Sequence, residues 1–283
     1  MKKNILLYIF LLILPAVFYC GNSLDALMSP DNKKDYEGYT LHRLYPEGKY
    51  IFYGLIALKK GEEIVRLFPK VEAFKEEKIK EQTSFGFLNL LKKAGKKEII
   101  VKASLNGDIN KYFYWVYALE PELRLVFDTE KWKTGYYLSI DDMDNDNVKE
   151  LIQTNLTFDE FDRCSHANSA VFDIIFKYDA EKGEYLPANF LFKQMVATDD
   201  WGKQPVTNRD RGGAHLGSLM KKLLPLIYSG QEKEGWKYFE REYNLADKWV
   251  MIEKMKKKLE EDPVYQYIKV AAPAAALIKE KKK

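Results

Sequence analysis

The chain has 283 residues, 46% of them hydrophobic and 31% charged, a balance that lets one or two domains bury a core and excludes an intrinsically disordered chain. Its formal net charge of +3 falls to +1 once Lys2 and Lys3 leave with a leader, so composition gives no basis for nucleic-acid binding. Cys20 and Cys164 are the two cysteines, and either processing event described below leaves Cys164 without an intramolecular partner, which excludes a disulfide-stapled fold.

Residues 1–19 read as a signal peptide, with two lysines ahead of an apolar run from Ile5 to Tyr19. That run of 15 residues is shorter than the roughly 20 that a spanning helix needs. Val17 lies three positions before Cys20, and the whole leader resembles bacterial lipoprotein signals. The resemblance implies a chain that leaves the cytoplasm and starts at a diacylated, then N-acylated, Cys20, in the periplasm or on the cell surface. Gly21 and Ser23 keep a second reading open, a secretory cleavage after Ser23 that discards Cys20.

Residues 20–38 read as a polar tether. From 39 to 197, short aromatic and β-branched runs broken by turn residues predict antiparallel strands: YTLHRLY, YIFYGLIAL, EEIVRLF, KEIIVKASL, YFYWVYAL, LRLVFDT, YYLSI, ELIQTNLTF, AVFDIIFKY and YLPANFLF. Tyr112, Tyr114 and Val116 alternate with Phe113, Trp115 and Tyr117 as two faces of one strand, with core packing as their task. KKEIIVKASLNGD at 96–108 and VKELIQTNLTFDE at 148–160 form a weak repeat. Glu98 and Glu150 are 52 residues apart, close to the length of one propeller blade.

Residues 198–213 read as a polar linker, although Asp199 and Asp200 are candidates for an acid and base pair and Arg209 and Arg211 for anion contacts beside Gly212 and Gly213. A helical domain is expected at 214–270. Leu216, Leu219, Met220, Leu223 and Ile227 recur at helical spacing up to Gly230, Trp236, Phe239 and Tyr243 mark a second helix, and Trp249, Ile252, Met255 and Leu259 a third that stops at Pro263. YSGQEKEGWKYFEREY resembles one turn and helix of a tetratricopeptide-type hairpin. Residues 271–283 read as a flexible tail kept solvated by its lysines.

The densest chemistry is DDMDNDNVKEL at 141–151, five carboxylates between two strand-like runs. Asp142, Asp144 and Asp146 alternate and Glu150 follows four positions later, so their side chains and the Val148 carbonyl can converge as hard oxygen ligands for Ca²⁺. Asn147 stands where the turn needs a left-handed residue, which asparagine tolerates. An EF-hand frame from Asp142 places Gln153 where a bidentate carboxylate belongs. The pattern D-x-D-x-D-x-x-x-E-L instead resembles the calcium loops of FG-GAP and VCBS repeats, over about 100 residues from Phe85 to Tyr185. The resemblance implies propeller-like β units with structural calcium, and the corresponding stretch of the first copy, LLKKAGKK, carries no acidic loop.

A last cluster, Asp162, Cys164 and His166 at alternate positions, offers a zinc corner or a thiol and imidazole pair, set against a surface loop with a free thiol. The fold class expected is α+β, an N-terminal antiparallel β region of partial propeller-like or sandwich sheets with a C-terminal α-helical hairpin domain. The function expected is binding or assembly at the cell envelope, with a protein or envelope polymer as partner and the membrane reached through lipid. The alternative is a secreted or lipid-anchored hydrolase of envelope polymers, with its site near Asp199 to His215.

Overall fold

A computed structural model describes residues 33–36, 38–44, 55–67, 81–91, 98–105, 112–193 and 213–281. The leader, Cys20 and the pairs Asp199 and Asp200, Arg209 and Arg211 lie outside the described residues. The architecture is α+β, with antiparallel sheets followed by helices.

Among the described residues, twelve strands form three four-stranded sheets, each an up-and-down meander. The first joins β1 (Lys33–Tyr36), β2 (Tyr39–Leu44), β3 (Leu55–Lys60) and β4 (Glu63–Arg66). The second joins β5 (Glu81–Leu88), β6 (Glu98–Leu105), β7 (Tyr112–Ala118) and β8 (Arg124–Asp128). A single turn, α1 (Thr129–Trp132), leads to the third: β9 (Thr134–Asp141), β10 (Glu150–Asn155), β11 (Phe172–Asp179) and β12 (Glu184–Pro187). Two of these strands escape the sequence pattern. β1 lies in the stretch read as a tether, and β5 has too many polar residues to stand out.

The sheets stack through their faces, with side chains alternating along each strand into different cores. Trp115 and Tyr117 of β7 join Ile99 and Val101 of β6 and Leu41 and Leu58 of the first sheet, whereas Tyr114 and Val116 turn the other way and join Leu151, Ile174 and Phe176 of the third. The aromatic alternation at 112–117 thus reports a strand buried between two neighbours. Among the described residues the stack does not close into a barrel or a propeller.

Four longer helices follow: α2 (Gly213–Tyr228), α3 (Glu232–Glu242), α4 (Lys248–Glu260) and α5 (Pro263–Lys281). The stripe Leu216, Leu219, Met220, Leu223 and Ile227 is buried in the core shared with the second and third sheets, as are Ile252, Met255 and Leu259 of α4, but Trp249, read as part of that second stripe, is exposed and Met251 takes its place in the core. α2 lies so close to the loop after β10 that a Cβ on Gly217 would stand 1.8 Å from the Asn168 carbonyl oxygen, which only glycine permits. No helix among the described residues is long and apolar enough to cross a membrane.

The end of the chain differs from its sequence reading. Pro263 opens a helix here, and that helix runs to Lys281 through the stretch read as a tail. Proline at the first helical position loses no hydrogen bond, and Asp262 caps it, with Oδ1 accepting from Val264 N at 2.7 Å and Tyr265 N at 3.4 Å. The other oxygen of Asp262 reaches outside the helix. Oδ2 accepts from Asn155 Nδ2 at 2.9 Å, Thr157 Oγ1 at 2.7 Å and the Tyr228 hydroxyl, which brings β10, its following loop and α2 to one fully buried carboxylate. Burial first, and the Asp262 carboxylate second, push the Tyr228 hydroxyl well above its usual range.

Replacing Asp262 by Ala removes a cap worth about 1 kcal/mol and leaves buried donors unsatisfied at about 1–3 kcal/mol. Urea unfolding of Asp262→Ala is therefore expected to report a loss of about 3 kcal/mol, and Asp262→Asn, which keeps an acceptor for the helix, a smaller one.

Candidate metal centre

The loop from Asp142 to Lys149 joins β9 to β10, in line with its sequence reading. Asn145 and Asn147 both take the left-handed conformation, with φ of 59° and 68°, and fold the loop back on itself. Asn147 N donates to Asp142 Oδ2 at 3.0 Å and Val148 N to Asp146 Oδ1 at 2.8 Å. Carboxylate oxygens of Asp142, Asp144 and Asp146 then lie within 4.8 Å of one another, a group that can hold a metal ion.

Glu150 and Val148 stand apart from that triad. Glu150 is fully buried at the start of β10, where Oε2 accepts from Met143 N at 2.8 Å. Val148 forms an isolated antiparallel bridge with Leu91, beside a bond from Lys149 N to the Leu90 carbonyl at 2.9 Å. The partner of Val148 belongs to the loop between β5 and β6. There Leu90 N donates to Oε2 of buried Glu98 at 2.8 Å, repeating the arrangement of Met143 and Glu150. Glu98 and Glu150 thus share one contact, each a buried carboxylate at the start of the second strand of its sheet that accepts from a backbone N–H seven or eight residues earlier.

The group that sequence reasoning missed is Lys177. β10 pairs with β11 through Leu151 and Phe176, so Lys177 follows one step on, beside Glu150. Its ammonium lies 2.9 Å from Asp144 Oδ2, 2.7 Å from Asp146 Oδ2 and 2.9 Å from Glu150 Oε1. Three donors meet three carboxylates, which uses the full capacity of a lysine. The signal in the sequence is slight, a lone cation in the apolar run IIFKY.

The charges of this cluster shift in directions that follow from burial. Burial pulls the Lys177 ammonium down, but the hydrogen bonds it donates to Asp146, Asp144 and Glu150 outweigh it and hold the ammonium above its ordinary range. The hydrogen bond from Lys177 holds exposed Asp146 below the usual carboxylate range. At Glu150 burial wins over Lys177 and the Met143 N–H, and the carboxyl is raised. Asp142 Oδ1 is buried and has no hydrogen-bond partner among the described residues, so one ligand atom of the triad is left over. Hard oxygen donors with an unsatisfied atom are a set that can hold a metal ion.

The other candidates do not converge. Asp162 Oδ2 pairs with Lys254 Nζ at 2.6 Å, the buried Cys164 thiol donates to the Gly213 carbonyl at 3.3 Å, and His166 turns to Asp159 and Tyr136. Burial raises the Cys164 thiol above its usual range, the reverse of what an activated nucleophile needs. His215 is buried in α2 with its ring stacked on Tyr243 at 5.9 Å, and its Nδ1 has no partner among the described residues. No protein-family model, curated protein or solved structure matches the chain.

Lys177→Met, in chelator, leaves buried Glu150 and two aspartates without their cation. Breaking a buried pair costs about 3–5 kcal/mol, and solvent screens the part due to Asp144 and Asp146, so the expected loss is about 2 kcal/mol. Urea titration of the variant checks it, and an unchanged midpoint removes Lys177 as the counter-ion.

Proposed function

We propose that the chain is an extracytoplasmic, lipid-anchored binding or assembly protein of the bacterial envelope, with a structural calcium ion at the turn into β10. The observation that carries the ion is the convergence of Asp142, Asp144 and Asp146, with Glu150 fixed beside them and Asp142 Oδ1 left without a donor. Calcium there supplies a divalent charge that holds the loop to the sheet. It takes part in no reaction.

The envelope location rests on the leader, with its lysines, its apolar run and Cys20. Two or three acyl chains give stable membrane attachment where one gives a reversible one. The likeness to FG-GAP and VCBS units draws support from the meander order of the sheets, since a propeller blade is a four-stranded meander and the blades pack through their faces. Stacked sheets of this kind present loops and edges to a protein or envelope-polymer partner.

Calcium that binds the folded state alone stabilises it by mass action, by about 2.7 kcal/mol at a hundredfold excess over its dissociation constant. Extracellular calcium modules bind at about 0.1–1 mM. The melting temperature is thus expected to rise between chelator and about 10 mM calcium. Asp144→Ala abolishes the rise and Asp162→Ala keeps it, and a parent curve that does not move rejects the ion. Separately, labelled palmitate is expected on the full-length chain and not on Cys20→Ser, whereas a soluble product starting at Leu24 establishes secretory cleavage.

A further inference from the structure

The far end of the third sheet holds a second cluster that owes nothing to calcium. The pairing of β9 with β10 jumps from Gln153 opposite Leu138 to Thr154 opposite Gly135, which leaves Tyr136 and Tyr137 in a bulge. Tyr136 takes φ of 61°, a conformation bulky side chains rarely adopt. Bulges re-aim side chains, and strained residues gather at functional sites.

Here the bulge carries the Tyr136 hydroxyl to 3.0 Å from His166 Nε2. The other ring nitrogen, Nδ1, lies 2.9 and 3.0 Å from the two carboxylate oxygens of Asp159. A carboxylate can only accept, so Nδ1 carries the proton and Nε2 is left as the acceptor for the phenol. Hydroxyl to imidazole to carboxylate is the order in which a base activates a nucleophile and a third group orients the base.

The loop that carries His166 is held from several sides. Glu160 N donates to the Ser169 hydroxyl at 2.7 Å, that hydroxyl donates to the Ser165 carbonyl at 3.0 Å, and Phe158 is fully buried below. The His166 side chain is itself half exposed, so a reagent can reach it.

We propose that Tyr136 is a nucleophile for activated carboxylic esters, with His166 as its base and Asp159 as the residue that positions His166. The Asp159 carboxylate that holds His166 puts a negative charge at the site, which repels a phosphate ester and leaves an uncharged acyl donor as the fitting substrate. In the step, Tyr136 Oη bonds to the acyl carbon, its proton passes to His166 Nε2, and the ester C–O bond breaks to release the alcohol part as an anion. The imidazolium then gives its proton to solvent.

The probe is p-nitrophenyl acetate with the full chain, read as p-nitrophenolate release and as acetyl groups located by peptide mass. Tyr137, the next residue, is 62% exposed and serves as the internal reference. Acetylation of Tyr136 is expected on the order of a hundredfold faster than that of Tyr137, the size of a general-base contribution. His166→Gln removes that advantage and leaves Tyr137 unchanged, with a melting curve to show that the fold persists. An advantage below about tenfold, a rate at Tyr136 that survives His166→Gln, or undiminished release from Tyr136→Phe overturns the proposal.

Discussion

The carboxylate of Asp262 joins the two halves of the molecule. One oxygen ends α5 and the other gathers donors from β10, from the loop after it and from α2. Burying a carboxylate is costly unless its lone pairs are all used, and a geometry that uses them fixes each contributing element at once. Two aromatic contacts extend this joint. Phe172 at the start of β11 lies 4.6 Å from Tyr228, and Trp132 of α1 lies 5.8 Å from Tyr267 of α5, centroid to centroid. The apolar stripe of α2 is buried against the sheets, but apolar burial alone is tolerant of rotation and sliding. The polar joint sets the angle at which the helices meet the sheets, and the bare backbone of Gly217 lets α2 come close enough to make it.

With one end of the third sheet tied to the helices, its other end carries the acidic loop. β10 runs from Glu150 to Asn155, so a single strand of six residues spans the distance from the carboxylate cluster to the Asp262 joint. The cross-link between Leu90 and Lys149 ties that loop to the second sheet as well. A cation that stiffens the loop at 142–149 therefore acts on an element anchored at both ends.

Features whose cause is local were legible in the sequence. The helical stripes, the face alternation at 112–117 and the left-handed Asn147 each follow from periodicity or from one side chain's own preferences. Pro263 was read as the stop of the third helix, which does end before it at Glu260, but not as the start of the next, because proline both ends helices and opens them and the deciding signal was the aspartate just before it. Lys177 was out of reach for a different reason. It lies 27 positions beyond Glu150, and only the register of β10 with β11 brings the two together. Tyr136 is the extreme case, since no propensity assigns a tyrosine to the left-handed region and tertiary contacts impose it. Asp162, Cys164 and His166 lie in a loop, as the free-thiol reading had it, and each side chain takes a different partner, although the thiol is buried and not on the surface.

Lys177 also bears on what a metal ion would change. Three carboxylates, those of Asp144, Asp146 and Glu150, meet one ammonium, and Asp142, whose Oδ1 has no hydrogen-bond partner among the described residues, stands beside them, so the cluster carries more formal negative charge than the lysine offsets. The lysine is tethered to β11 and its three donors are committed, so it cannot follow that residual charge. Under the proposed calcium reading, the ion would meet exposed Asp144 and Asp146 and the buried, unsatisfied Oδ1 of Asp142, and would compete with Lys177 for the two exposed aspartates. Glu150 is the part of the cluster least able to change partner, because it is buried and bonded to Met143 N. The ammonium then stays at Glu150 and gives up the two aspartates, and the loop divides its carboxylates between a fixed internal cation and an exchangeable external one.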